Sequence, residues 1–264
     1  MAPPSSTEAR TTRAAVKPRK AAALLVLSGT RVLMVKRPNH FSYPGAFVFP
    51  GGTVSSTDSS LMHTALRETF EETGLLLSTT PIPMERRRLL SSLQKEVHDG
   101  VLSFDKALEA LDVTLIPSDD LIPFSVWTTP VGPAKRYETH FFVTRLPSHL
   151  SEEAVVGDGG IEVVGTHWLP TERIPAWIRQ GKTPMHSAQI YLTCRLAWSL
   201  GAGEGWDGVL EVARQIGRVE VLMRRTEEDG KRVENMPNGD KVIYEAGAGS
   251  AGKAWVELSD RASL

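Results

Sequence analysis

The sequence predicts an α/β fold on three observations: short apolar runs of strand character recur along the chain, stretches of helix formers stand between them, and Gly or Pro punctuates the junctions. At 264 residues the chain is long enough to bury a substantial core. Residues 1–20 carry five cations against Glu8 alone and almost no large apolar side chain, which reads as a flexible basic arm. A targeting segment for mitochondria is the alternative for that arm. From Ala21 the pattern is strand, turn, strand: AAALLVL, then Ser28-Gly29, then TRVLMVK, a hairpin. Pro44-Gly45 breaks the chain, a short run from Ala46 to Phe49 follows, and Pro50-Gly51-Gly52 forms a strand-to-loop junction.

Leu61 to Thr73 is a helix closed by Gly74, and Leu75 to Leu77 resume as an apolar run. Residues 84–111 form a helical insertion, with a cap glycine at Gly100 and an N-cap at Ser103. Strands are expected at 125–129, 136–146 and 161–169, and helices at 171–180, 187–200 and 206–216. The remainder is Gly-rich and irregular, with short strands near 219–223 and 241–244. The expected organisation is an arm (1–20), a main domain (21–180) with its insertion, and a helical C-terminal extension (181–264) packed on the core.

Composition narrows the function classes. The longest apolar run, Ala21 to Leu27, is too short to span a bilayer. A net charge of −1 provides no global basic field for nucleic acid. One cysteine, Cys194, excludes an internal disulfide framework and fits a reducing compartment; among Tyr191, Leu192 and Leu196 it reads as a buried, inert thiol. An intracellular enzyme without a nucleic-acid partner is the resulting expectation, its oligomeric state open.

The chemistry concentrates between Pro50 and Gly74. On the inferred helix, Glu68, Glu71 and Glu72 fall within roughly 100° of arc, so three acids share one face. Like charges at these spacings destabilise a helix unless a cation joins them. Carboxylate oxygens suit Mg²⁺ or Mn²⁺, which complete their shell with water and substrate phosphate. Gly51 and Gly52, just ahead, permit close approach of backbone to a ligand.

These residues resemble the Nudix box, which is Gly, five residues, Glu, seven residues, then Arg-Glu-apolar-any-Glu-Glu-any-Gly-apolar. Arg67-Glu68-Thr69-Phe70-Glu71-Glu72-Thr73-Gly74-Leu75 matches its second half, with Thr69 in the apolar slot. The first half departs: Asp58 stands five residues after Gly52 in place of Glu, and eight residues separate it from Arg67. The resemblance implies an α/β/α sandwich with a mixed sheet and hydrolysis of nucleoside diphosphates linked to another moiety. It implies Glu68, Glu71 and Glu72 as metal carboxylates, and Arg67 as the residue that pairs with a neighbouring acid and orders the helix face. Glu71 or Glu72 would serve as general base, with Glu138 a further candidate whose alternative is an exposed strand carboxylate.

A narrower resemblance rests on Pro44 to Gly52, Trp127 to Pro130 and Lys135 to Phe142. It points to the acyl-coenzyme A diphosphatase branch, associated with peroxisomes. It implies coenzyme A or its esters as substrate, cleaved to 3′,5′-ADP and 4′-phosphopantetheine or its acyl form. Arg37, Gly51, Gly52 and Arg136 are the candidate substrate contacts, and Arg86-Arg87-Arg88 either meets a 3′-phosphate or forms a solvated helix face. Rival substrates are ADP-ribose, NADH and other nucleotide derivatives, and a silent nucleotide-binding domain is the rival from another class.

Overall fold

In a computed structural model, residues 16–39, 44–129, 134–158, 160, 162–216, 220–222, 224–228, 230–245 and 252–259 are described. Most of the basic arm (1–15) lies outside them. β1 (Arg19–Ser28) and β2 (Arg31–Lys36) form the expected hairpin, followed by β3 (Phe47–Val48), β4 (Gly51–Thr53), α1 (Leu61–Thr73), α2 (Leu90–His98) and α3 (Phe104–Leu111). β5 (Ile122–Thr128), β6 (Tyr137–Arg145), β7 (Gly165–Pro170), α4 (Ile174–Arg179), α5 (Ser187–Gly201), α6 (Gly205–Ile216) and β8 (Glu220–Leu222) complete the main layers. The strand order is β3-β2-β1-β6-β5-β8, with β4 on β1 and β7 on β2. β1 runs parallel to β6 and antiparallel to β2 and β4, so the sheet is mixed.

The apolar run of β1 is continuous because both its faces are covered. Ala22, Leu24 and Val26 meet Ala65, Leu66 and Phe70 of α1. Ala23, Leu25 and Leu27 face the opposite layer, with Ile190, Tyr191 and Cys194 of α5. Helices on both faces of one mixed sheet make an α/β/α sandwich. The insertion docks on α1 through Phe104, whose ring stacks on Phe70 at 5.6 Å between centroids. Residues 84–89 of it form a 3₁₀ turn, held by Arg86, which donates to the Ala110 carbonyl at 2.7 Å. Burial pushes the Cys194 thiol up to about 12, so it stays protonated.

Two expectations need correction. The arm was read through residue 20, but β1 begins at Arg19, whose N–H donates to Arg136 O. The extension is helical only as far as Ile216; beyond it a second, antiparallel sheet runs β12-β11-β10-β9. Its strands are β9 (Arg224–Glu228), β10 (Lys231–Asn235), β11 (Lys241–Tyr244) and β12 (Ala254–Glu257). β11 falls on the short strand expected near 241–244; β9, β10 and β12 are five residues or fewer, so their alternation is too brief to stand out from loop sequence. Val242, Tyr244, Val256 and Leu258 join the core of α5. Asp240 anchors the junction, accepting from Tyr191 Oη at 2.7 Å, Asn238 Nδ2 at 2.9 Å and Ser259 N at 2.8 Å.

Candidate active site

α1 starts and stops where local chemistry directs. Ser60 is the N-cap, its hydroxyl accepting from His63 N at 3.1 Å, and Gly74 ends the helix at φ 67°. Thr69 fits its apolar slot because its hydroxyl donates to Ala65 O at 2.7 Å, which satisfies the polar atom internally. The opposite face of the helix is turned to β4.

Arg67 organises that face. Its Nε and Nη2 clasp the Asp58 carboxylate at 2.8 and 2.9 Å, Nη2 also donates to Thr53 O, and Nη1 reaches Glu71 at 2.9 Å and Glu68 at 3.0 Å. Asp58 is thus an acid that pairs with Arg67 despite the altered spacing of the first half of the box. The shorter carboxylate reaches Arg67 because Ser55 N and Thr64 Oγ1 donate to its Oδ2 and fold the 53–60 loop around it. Burial alone would raise the Asp58 carboxyl; the bonds from Arg67, Ser55 and Thr64 more than reverse this and hold it well below the usual carboxylate range. Burial opposes the Arg67 charge, and Asp58, Glu68 and Glu71 outweigh it, so the guanidinium stays protonated.

The two glycines place the other acids. Gly51 N donates to Glu72 Oε2 at 3.0 Å. A Cβ on Gly51 would lie 2.5 Å from Ala22 O and 2.6 Å from Ala23 Cα, so only glycine lets β4 come this close to β1. A Cβ on Gly52 would fall 2.5 Å from the Glu68 carboxylate. Both glycines are thus strand residues that cradle carboxylates.

Glu68 and Glu72 are poised to take up positive charge. Burial, with Glu71 and Glu162 adding to it and Arg67 opposing, pushes the Glu68 carboxyl up to about 7. Burial and the Glu68 charge push Glu72 well above its ordinary value, with Glu162 adding and Gly51 and Arg37 opposing. Hard oxygens held together at this electrostatic disadvantage fit Mg²⁺ or Mn²⁺. Among the described residues, however, no three acids, histidines or cysteines already stand close enough to ligate one ion. Glu68 and Glu71 both engage Arg67 Nη1 through their Oε1 atoms, whereas Glu72 accepts from Gly51 N.

The remaining candidates divide. Arg37, at the end of β2, lies within electrostatic reach of Glu72. Arg136 does not join the site: its Nε and Nη1 donate to the carbonyls of Thr129 and Val16, so it locks the entry to β1. Glu138 is engaged with His140 Nε2 at 3.0 Å. Three participants escaped the sequence reading. His63 bridges Asp58 and Asp105 at 3.1 and 2.9 Å, Gln94 of the insertion donates to Glu71 O and Gly157 O, and Glu162 brings a fourth carboxylate to the pair. The Asp58, His63, Arg67 spacing carried a local signal for the first; Gln94 and Glu162 carried none.

Residues 17–106 match the family model described as the NUDIX domain. The chain is 27% identical over 187 residues to "Putative nudix hydrolase 7" of Caenorhabditis elegans, covering 68% of this chain and 60% of that protein. It is 26% identical over 228 residues to "m7GpppN-mRNA hydrolase NUDT17" of Danio rerio, covering 85% of this chain and 64% of that one. The chain thus spans less than two thirds of either relative's length. A crystal structure of a NUDIX hydrolase from Alicyclobacillus acidocaldarius superposes with a TM-score of 0.58 at 25% identity, over 70% of this chain and 93% of that one. Residues 17–106 are thus similar to the NUDIX domain, and the chain shares the fold of a solved NUDIX hydrolase.

Proposed function

We propose that the protein is a Mg²⁺- or Mn²⁺-dependent diphosphatase acting on nucleoside diphosphate-linked substrates, with coenzyme A or acyl-coenzyme A as the substrate. The observation that carries the reading is the buried pair Glu68 and Glu72, fixed against Gly52 and Gly51 with Arg67 and Asp58 behind them. A diphosphate repels nucleophiles by its own charge; the bound cation would neutralise that charge and lower the pKa of a ligated water. Glu68 and Glu72 would hold it, while Arg67 fixes the rotamers of Glu68 and Glu71. Arg37, near Glu72, would bind a phosphoryl oxygen. Glu162, on a loop fastened by three N–H donors to the Asp158 carboxylate, joins Glu71 and Glu72 as a candidate to accept the proton of the attacking water.

Coenzyme A rests on the resemblance around Pro44–Gly52 and Lys135–Phe142, and the peroxisome follows from the same branch. Similarity over 85% of the chain to a protein named as an mRNA cap hydrolase supports a second reading, a capped nucleotide. Mass-spectrometric product identification after incubation with coenzyme A, ADP-ribose, NADH and m7GpppA plus Mg²⁺ separates the readings. Release of 3′,5′-ADP from coenzyme A as the fastest reaction supports the proposal; preferred cleavage of another substrate replaces it, and no cleavage of any points to a silent domain.

A further inference from the structure

The second sheet reaches the start of α5 through Arg232 and Tyr244. In β10 the Arg232 guanidinium lies over the Tyr244 ring of β11, 3.7 Å from its centroid. Its Nε has no hydrogen-bond partner, and its approach to Glu234 is stretched to 3.8 Å. Tyr244 Oη in turn meets Ser187 Oγ at 2.7 Å, which sets Arg232 beside the 184–187 segment that opens α5 and contains His186. That segment is tied to β3, because Phe47 N donates to Pro184 O at 2.8 Å. Directly across the same turn, Arg37 N donates to Ala46 O and Gly45 N to Arg37 O, which brings Arg37 to the other flank.

From this convergence we propose that Arg37, His186 and Arg232 form an anion subsite, built partly by the C-terminal sheet, that holds a phosphomonoester of the substrate next to the diphosphate, with Arg37 between the two. A guanidinium stacked on an aromatic face is oriented in advance and presents its N–H edge to a phosphate. A dianion matches two guanidiniums and an imidazole better than a single carboxylate does. The charges do sense one another: burial first, then Arg37 and Arg232, lower the His186 pKa to about 4. Arg37 links the subsite to the acids, since its charge also acts on Glu72. The inference rests on the diphosphatase reading and deepens it: the substrate would carry a phosphate beyond the two it is cleaved between.

The test is calorimetric titration of the full chain with adenosine 3′,5′-bisphosphate and with AMP. The subsite predicts tighter binding of the bisphosphate by about tenfold or more, the scale of one hydrogen bond to a charged group. Arg232→Gln should erase the preference, and Arg232→Lys should restore part of it. Equal affinities in the wild type, or a preference that survives Arg232→Gln, would overturn the subsite. A second readout needs no variant: inorganic phosphate should raise the titration midpoint of the His186 imidazole in NMR, and an unmoved midpoint also counts against the proposal. Coenzyme A hydrolysis without bisphosphate preference would sink the subsite alone, whereas preference without diphosphate hydrolysis would sink the functional reading alone.

Discussion

Replacing Gly52 by Ala adds one methyl group at the point where the site is tightest. The new Cβ would lie 2.5 Å from the carboxylate carbon and both oxygens of Glu68, where ordinary contact begins at 3.4 Å. Glu68 must retreat by about 1 Å, and a misplacement of that size costs on the order of 10²-fold in rate. The fold should barely notice. Glu68 gives way at the far end of a flexible side chain, and Ala is favoured over Gly within a strand by roughly 0.5–1 kcal/mol. Gly52→Ala should therefore lose about 10²-fold in kcat/KM with Tm nearly unchanged. Gly51→Ala is the internal control. Its Cβ would strike the backbone of Ala22 and Ala23, which cannot yield, so Tm and activity should fall together. Steady-state kinetics on coenzyme A and thermal melts of both variants decide the matter. Wild-type kcat/KM in Gly52→Ala would refute the placement of Glu68, and a fall in Tm to match its lost activity would refute the claim that Gly52 serves the site alone.

Asp58→Asn should cost about 3–5 kcal/mol, because it leaves the buried Arg67 charge without its main partner. The Asp58 pKa is depressed in the folded state, so its stabilisation is complete above the unfolded value near 4 and is lost as pH falls below it; urea titrations should show the gap between wild type and Asp58→Asn closing in that range. Asp240→Ala should destabilise by a similar ~3–5 kcal/mol, since it strands Arg195 Nη1, 3.3 Å away, in the same buried setting. Hydrogen exchange should then show β10 and β11 losing protection ahead of β1 and β6, and uniform loss would contradict the anchoring role of Asp240.

Much of this architecture was legible because it depends on local pattern. The β1–β2 hairpin, α1 with its closing Gly74, and the 3.6-residue spacing that gathers Glu68, Glu71 and Glu72 all follow from neighbours in sequence. What stayed hidden depends on contacts between distant segments. Whether Asp58 could reach Arg67 turned on how Ser55 and Thr64 bend the intervening loop, which residue counting cannot give. Gly51 and Gly52 looked like a ligand-facing loop, yet β1 and Glu68 occupy the space a side chain would need. Arg136 was a fair phosphate candidate by charge until the carbonyls of Val16 and Thr129 took its donors. Glu162 stands 90 positions beyond Glu72 in the sequence and comes within electrostatic reach of it only in the folded chain.

The central claim is that Glu72 holds a divalent cation over the substrate diphosphate, and Glu72→Gln tests it most directly. Gln keeps the size and an acceptor for Gly51 N but removes the charge, so turnover should fall by at least about 10²-fold, the scale of a preorganised electrostatic contact. Folding should survive, and the metal-free variant should melt slightly higher, because repulsion from Glu68 and Glu162 is relieved. Turnover measured across a Mg²⁺ titration should rise to saturation in the wild type and stay low, with a weakened metal response, in Glu72→Gln. Superimposable Mg²⁺ curves for the two proteins would contradict the account.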